Sequence, residues 1–337
     1  MKKHIIFTFD YELFLGVSGS AENCLIIPTN KLLDVFKANH ATVTFFVDVT
    51  YLLMLKKEGV REDFDKVSKQ IQRMALEGHE VALHIHPHWV DAKYEEEFWL
   101  FKDFSRYKIG KCDFNLLEEL FSKGISLLTS IVREVNPDYK IQSFRAGGWC
   151  VDPFTNIKPL CEKYGIRIDS SVIPHRSCVG NSISSYDYTD IKDDTPYRFS
   201  MSVHKRDAEG AFIEMPISTY RITPYDQVKS LFMRKFASNV VCTKRFGDGK
   251  SVFDVESNSS IERYIKYFKI VPAYYSCDAA NEQTLKRIQR DKRKLLTIVS
   301  HPKCQTPLSI DIINIILADS ENSCVSIVDY LSTNNGI

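Results

Sequence analysis

The chain has 337 residues, with 44 Lys or Arg against 43 Asp or Glu and a formal net charge of +1. Apolar residues at 44% and aromatics at 12% are enough to offset chain entropy, which excludes disorder over most of the length. The neutral balance leaves no electrostatic footprint for nucleic acid. No apolar run reaches the roughly 18 residues of a membrane span.

Residues 4–9 (HIIFTF) read as a buried strand. With Met1-Lys2-Lys3 ahead of it, this start resembles a signal peptide. Thr8 interrupts the apolar stretch, however, and Asp10 and Glu12 end it. It is too short for a secretory core and no small-residue cleavage site follows. The nine cysteines are scattered, odd in number and without a Cys-x-x-Cys pair, which suits reduced thiols and a cytoplasmic location.

A helix is expected from Pro28 to about residue 40, a strand over 42–47 (TVTFFV), and a helix over 63–77 capped by Gly78. A third strand covers 80–85 (EVALHI), and a long amphipathic helix covers 114–135. Strand 141–144, helix 153–164, strand 166–168 and strands 211–215 and 295–299 complete the pattern. Strands alternating with helices imply parallel βαβ units, and the whole of 1–337 is expected to be one domain. Residues 89–113 and 174–210 break the rhythm and read as insertions, either on the active face or as inert surface excursions.

Four segments carry candidate chemistry, each at a strand's C-terminal end, where α/β sheets and barrels place their sites. Four of the nine histidines fall in Gly78-His79-Glu80-Val81-Ala82-Leu83-His84-Ile85-His86-Pro87-His88-Trp89. Neutral imidazoles in such a cluster suit one divalent ion, with Zn first and Ni, Co or Fe as alternatives. Strand alternation points His84 and His86 the same way, whereas Pro87 breaks the strand and would let His88 turn back toward His84. In Thr8-Phe9-Asp10-Tyr11-Glu12 two acids share one face, and burying either unpaired would cost several kcal/mol. Ser143-Phe144-Arg145-Ala146-Gly147-Gly148-Trp149 offers an arginine to a carboxylate and glycines for close backbone approach. Ile298-Val299-Ser300-His301-Pro302 adds a histidine after an apolar strand.

In this order, the segments resemble the polysaccharide deacetylase family, the NodB-homology carbohydrate esterases, from about residue 4 to 305. TFDYE is similar to the first family motif, ATVTFF to the strand after it, and GHEVALHIHPH to the metal-binding second motif. FRAGGW, residues 167–171 (RIDSS) and IVSHP are similar to the third, fourth and fifth. The resemblance implies a distorted (β/α)7 barrel with loop insertions and a mononuclear metal hydrolase that removes an acetyl group from an N-acetylated sugar. It makes Asp10 the general base, His84 and His88 metal ligands, Arg145 the group that orients Asp10, and His301 the general acid. Gly148 would supply an oxyanion N–H, with Trp149 and His86 on the substrate side.

Several positions depart from the family pattern. Tyr11 replaces the usual second aspartate, so Glu12 is assigned as third ligand by similarity to D-x-D variants. Gly147 stands where the third motif has proline. The fourth motif lacks its second aspartate, leaving Asp169 as a candidate support for His301. Trp89, Trp99 and Trp149 are candidates for stacking on sugar rings or for core packing. The substrate is expected to be a nucleotide- or lipid-linked precursor of a surface polysaccharide or lipopolysaccharide.

Two rival readings remain. His84-x-His86 on a barrel strand also resembles amidohydrolase and PHP-type metal hydrolases, which metal stoichiometry would distinguish. The chain could instead be a catalytically inactive carbohydrate-binding relic of the fold. Lys286 to Lys294 is a basic run that could hold phosphate or form a solvated helix face, and Asn258-Ser259-Ser260 matches a glycosylation sequence.

Overall fold

Strand β1 (Lys3–Tyr11) takes parallel partners over its whole length, because its apolar residues are buried on both faces. In the computed structural model, which describes residues 2–179, 183–224, 227, 244–252 and 270–334, it belongs to a nine-stranded curled sheet. The other strands are β2 (Thr44–Asp48), β3 (Glu80–Ile85), β4 (Ser143–Ala146), β5 (Ile168–Asp169), β6 (Tyr197–Phe199), β7 (Phe212–Glu214), β8 (Leu295–Ser300) and β9 (Asn322–Cys324). Their order in space is β6-β7-β5-β4-β3-β2-β1-β8, with β9 beside residues 3–5 of β1. Only β6 and β7 pair antiparallel within this sheet. The Asn258 sequence lies outside the described residues.

The ring is completed by irregular backbone, not by a ladder. Ser218 N–H donates to the Thr297 carbonyl (2.9 Å), and Val299 N–H to that of Tyr275 (3.1 Å). This is the distortion in the expected (β/α)7 barrel, and it is also what carries residues 276–278 to the end of β8.

Helices α1 (Ile27–Ala38), α2 (Val49–Lys57), α3 (Arg61–Leu76), α4 (Phe114–Arg133), α5 (Lys158–Tyr164), α6 (Glu282–Arg290), α7 (Pro307–Ala318) and α8 (Ile327–Thr333) accompany the sheet. The expected helices and strands fall within a few residues of these spans. Helix α2 was not expected: its short apolar run has no polar face of its own. Asp48 starts it by accepting from the N–H groups of Thr50 (3.1 Å) and Tyr51 (3.4 Å). Among the described residues, no helix is long and apolar enough to cross a membrane.

Alternation along the strands divides the core. Phe7, Phe9 and Tyr11 pack in the large cluster with helical residues such as Leu32, Leu33 and Phe36, and Tyr11 Oη donates to Gln70 of α3 (2.7 Å). The opposite face puts Ile6, Phe46, Ala82, Ile168, Ile213 and Met215 in a separate cluster closed by Ile327 and Leu331 of α8. Phe9 stacks on Phe45 with ring centroids 5.4 Å apart and meets Phe36 at 5.7 Å. Phe9→Ala is therefore expected to lower the unfolding free energy by about 3–5 kcal/mol, read from the urea midpoint.

The segment 89–113 contains a hairpin, Lys93–Glu95 with Phe98–Leu100, which joins Gly16–Val17 and Lys250–Ser251 in a small sheet. Trp89 and Trp99 are buried there against each other and Tyr51, so both belong to the core and neither lines the site cavity. The basic run splits between α6 and the turn after it. Lys286 pairs with Glu282, Arg287 stacks on Tyr220, and Arg293 pairs with Asp291 and Asp194.

Candidate metal centre and active site

β1 brings Asp10 and, one step beyond its end, Glu12 to the inner face of the barrel, because Tyr11 between them points to the helices. β3 brings His84, and its extended path continues through His86 (φ −113°, ψ 92°) before the Pro87–Asp91 turn begins. Glu12, His84 and His86 therefore converge: their ligand atoms all lie within 4.8 Å of one another and all three residues are buried. Glu12 Oε2 is 3.3 Å from His84 Nε2 and contacts His86 Nε2.

His86, and not the expected His88, stands with His84 and Glu12 in this structure. The turn after Pro87 leaves the His88 ring edge-on to His86, with centroids 5.2 Å apart, and outside the cavity lining. The His88 ring is buried among Phe101, Phe104 and Tyr107 at centroid distances of 5.5, 5.6 and 5.2 Å, and neither ring nitrogen has a hydrogen-bond partner. Burial, with His86 beside it, holds the His88 pKa well below the ordinary histidine value. Strand alternation accounts for the placement of His86 beside His84. His86 stands at the third position, and Gly147 explains how it fits. A Cβ on Gly147 would lie 2.5 Å from His86 Nδ1 and 2.7 Å from the Ile85 carbonyl oxygen. The space that proline would fill in the third motif is taken by the His86 imidazole.

The donor set fits a divalent ion. Two imidazoles and one carboxylate make the three-protein-ligand arrangement of catalytic zinc sites. His84 Nδ1 donates to the Arg145 carbonyl oxygen (2.8 Å). A carbonyl can only accept, so this bond fixes the tautomer that leaves the Nε2 lone pair facing Glu12. His86 Nε2 meets the Glu12 carboxylate, while its Nδ1 is buried without a hydrogen-bond partner, which is costly unless a polar group meets it.

Two buried cations hold the carboxylates. Arg145 Nη1 lies 2.5 Å from Asp10 Oδ1, and its other N–H groups go to Ser170 O (2.6 Å), Ser170 Oγ (2.8 Å) and Thr8 Oγ1 (3.0 Å). Its guanidinium sits over the Phe46 ring at 4.1 Å. Burial pushes the Asp10 carboxyl up, but Arg145, His84 and His301 outweigh it and its pKa falls below the usual value. Burial likewise raises Glu12, while Lys303 and His86 bring it well below normal. Lys303 Nζ donates to Glu12 Oε1 and to the Leu13 carbonyl, both at 2.7 Å.

β8 delivers His301. Its Nε2 lies 3.7 Å from both Asp10 Oδ2 and Glu12 Oε1, and its Nδ1 is 2.7 Å from Asp278 Oδ2. Asp278 Oδ1 also accepts the His301 backbone N–H (2.7 Å). Burial lowers the His301 pKa, but Asp278 and Asp10 more than compensate, so it is raised. Asp169 does not support His301. Its oxygens accept from Ser171 N–H (3.1 Å) and Ser171 Oγ (2.8 Å), and it is hydrogen-bonded to the buried Glu214, with burial raising its pKa. Asp278 had no recognisable motif around it. Lys303, two residues after His301, carried a weak signal in the run Ser300-His301-Pro302-Lys303.

A cavity of about 220 Å³ opens on this constellation, lined by Asp10, Glu12, His84, His86, His301 and Lys303 on one side. Tyr107, Gly148 and Trp149 form another wall. The Trp149 ring meets His301 edge-on at 6.5 Å and Tyr274 at 5.6 Å. The volume is below the roughly 300–1,000 Å³ of drug-sized sites.

No family model matches the sequence, and no curated protein matches it. Solved structures do. A Mycobacterium smegmatis protein assigned to the polysaccharide deacetylases is 15% identical, over 98% of this chain and 90% of that one, with a TM-score of 0.50. A peptidoglycan deacetylase of Bacillus subtilis is 12% identical over 99% and 92% of the two chains, with a TM-score of 0.39. A Bacillus anthracis chain described as a pseudoenzyme of carbohydrate esterase family 4 is 9% identical over 98% and 66%, with a TM-score of 0.42. The last two are too distant to carry weight. The first aligns almost end to end, and the fold of this chain is that of the polysaccharide deacetylases.

Proposed function

We propose that the protein is a metal-dependent hydrolase that releases acetate from an N-acetylated sugar. The observation that carries this reading is the buried meeting of Glu12, His84 and His86 with the Asp10–Arg145 and His301–Asp278 pairs in one cavity. Glu12, His84 and His86 would hold one divalent ion, with zinc first among the candidates. When bound, that ion supplies Lewis acidity toward the amide carbonyl and toward water.

The remaining chemistry belongs to the chain. Arg145 holds Asp10 Oδ1 and leaves Oδ2 toward the cavity, where it accepts a proton from the attacking water. The water oxygen adds to the amide carbon, and the Gly148 N–H is assigned to the developing oxyanion. His301, held through Nδ1 by Asp278, donates its Nε2 proton to the leaving nitrogen as the carbon–nitrogen bond breaks. The products are acetate and a free amino sugar. Trp149 forms a wall for the ring.

The finer reading, a nucleotide- or lipid-linked precursor of a surface glycan handled in the cytoplasm, rests on the scattered cysteines of the sequence. An acetate-release screen over such precursors, free N-acetyl sugars and chito-oligosaccharides, with zinc, cobalt or nickel added to metal-stripped protein, tests both levels. Release from none of them would overturn the enzyme reading and favour a binding relic.

Asp278→Asn should leave less of the acid protonated at high pH. The Asp278 carboxylate helps raise the His301 pKa, so its removal lowers it. Since the acid acts protonated, the alkaline limb of the kcat profile should move to lower pH. A shift of one unit, about 1.4 kcal/mol, cuts the protonated fraction roughly tenfold on that limb. An unmoved limb would assign the titration to another group.

A second reading, an amidohydrolase- or PHP-like hydrolase, is favoured by the His84-x-His86 pair itself. Two bound metal ions per chain would support it, and one would support the deacetylase.

A further inference from the structure

Arg245 is a charged residue of the cavity lining that the proposed chemistry does not use. It lines the cavity with Phe14, Leu15 and Ser251, close to Lys303. Its guanidinium lies over the Phe14 ring at 4.5 Å, and Nη2 donates to the Gly249 carbonyl at 2.7 Å. Among the described residues, no carboxylate lies within 4.0 Å of it as an ion-pair partner. Lys303 approaches the same Phe14 ring, with Nζ 5.0 Å from the centroid, but its charge is matched by Glu12 at 2.7 Å. Two cations thus share one aromatic ring, and among the described residues only Lys303 has a carboxylate partner.

Arg245 is not on a loose excursion. Phe246 N–H donates to the Gln305 carbonyl (2.9 Å), Gly247 N–H to that of Lys303 (3.1 Å), and Val252 N–H to that of Leu15 (2.6 Å). Lys250–Ser251 pairs antiparallel with Gly16–Val17. Gly247 sits so close that a Cβ would collide with the Lys303 carbonyl oxygen. The strap is fixed to the backbone that follows β1 and to the backbone that follows β8, the same two strands that deliver Asp10, Glu12 and His301. A guanidinium held on one face and at one N–H keeps its other donors for a planar oxyanion.

We infer that the site takes an anionic N-acetylated sugar, whose phosphoryl or carboxylate group pairs with Arg245 while the acetamido group reaches Glu12, His84 and His86. This rests on the proposed reading of the cavity and specifies its substrate class. A charged hydrogen-bonded pair of this kind is expected to favour the anionic ligand by about 10–100-fold over its neutral counterpart.

The test is calorimetric binding to zinc-loaded full-length protein, with N-acetylglucosamine, N-acetylglucosamine 1-phosphate and N-acetylgalactosaminuronic acid as probes. Wild type should prefer at least one anionic probe about tenfold or more. Whichever anion is preferred identifies phosphoryl or carboxylate as the source. In Arg245→Ala the anionic-to-neutral ratio should collapse toward one, and in Arg245→Lys, which keeps the charge but loses the fork, it should fall between. Absence of any preference in wild type, undetectable binding of every probe, or an unchanged ratio in Arg245→Ala would overturn the inference. Binding is read apart from acetate release, so a protein that prefers anions but hydrolyses nothing would refute the enzyme reading alone.

Discussion

His86→Ala should strip the protein of its divalent ion, whereas His88→Ala should keep it. His86 shares with His84 and Glu12 a set of ligand atoms within 4.8 Å, while His88 lies in an aromatic nest outside the cavity lining. Loss of an outer partner of a metal ligand typically costs about 10–100-fold in affinity, and loss of a ligand should cost more, beyond about 100-fold. Metal content after dialysis against a weak chelator is the measurement. His84→Ala and Glu12→Gln should lose the ion as His86→Ala does. His88→Ala is expected to affect folding instead, since it opens a gap among Phe101, Phe104 and Tyr107. Retention of metal in His86→Ala with loss in His88→Ala would show that the motif spacing, and not strand alternation, sets the ligands.

Asp10→Asn should lower kcat by about 10²–10⁴-fold, the usual range for a lost general base, while leaving metal content near wild type. The amide keeps an oxygen for the Arg145 N–H, so the buried guanidinium retains a hydrogen-bond partner, although not its counter-charge. Asp10→Ala would strand that charge, and breaking a buried pair in this way costs about 3–5 kcal/mol. Comparing the two variants separates chemistry from folding: Asn should lose turnover with a modest change in melting temperature, and Ala should lose both. Because the Asp10 pKa is depressed in the folded protein, its ionisation contributes stability above the ordinary carboxylate range. That contribution disappears as pH falls through the lowered folded value, and in Asp10→Asn it should be absent at every pH. If Asp10→Asn lost the ion along with activity, Asp10 would be a ligand.

The local pattern of the sequence determined the strands at 4–9, 42–47 and 80–85 because apolar runs bounded by charge or glycine have few alternatives. It also determined that Asp10 and Glu12 share a face, since a period of two is a property of the backbone, and that His301 follows a strand; Arg145, expected just after a strand, lies within β4 instead. The same period places His84 and His86 on one face, as the structure has them. Tertiary structure decided the rest. Asp278 reaches His301 only because irregular backbone closes the barrel, with Ser276 bridged to Val299 and Cys277 N–H bound to Ser300 Oγ at 2.8 Å. Lys303 faces Glu12 across 291 positions of chain, and Arg245 arrives on a strap held by carbonyls of Leu15, Lys303 and Gln305. Such partners are chosen by where non-repeating backbone finds its hydrogen bonds, and that choice is made between distant segments, so no window of sequence contains it.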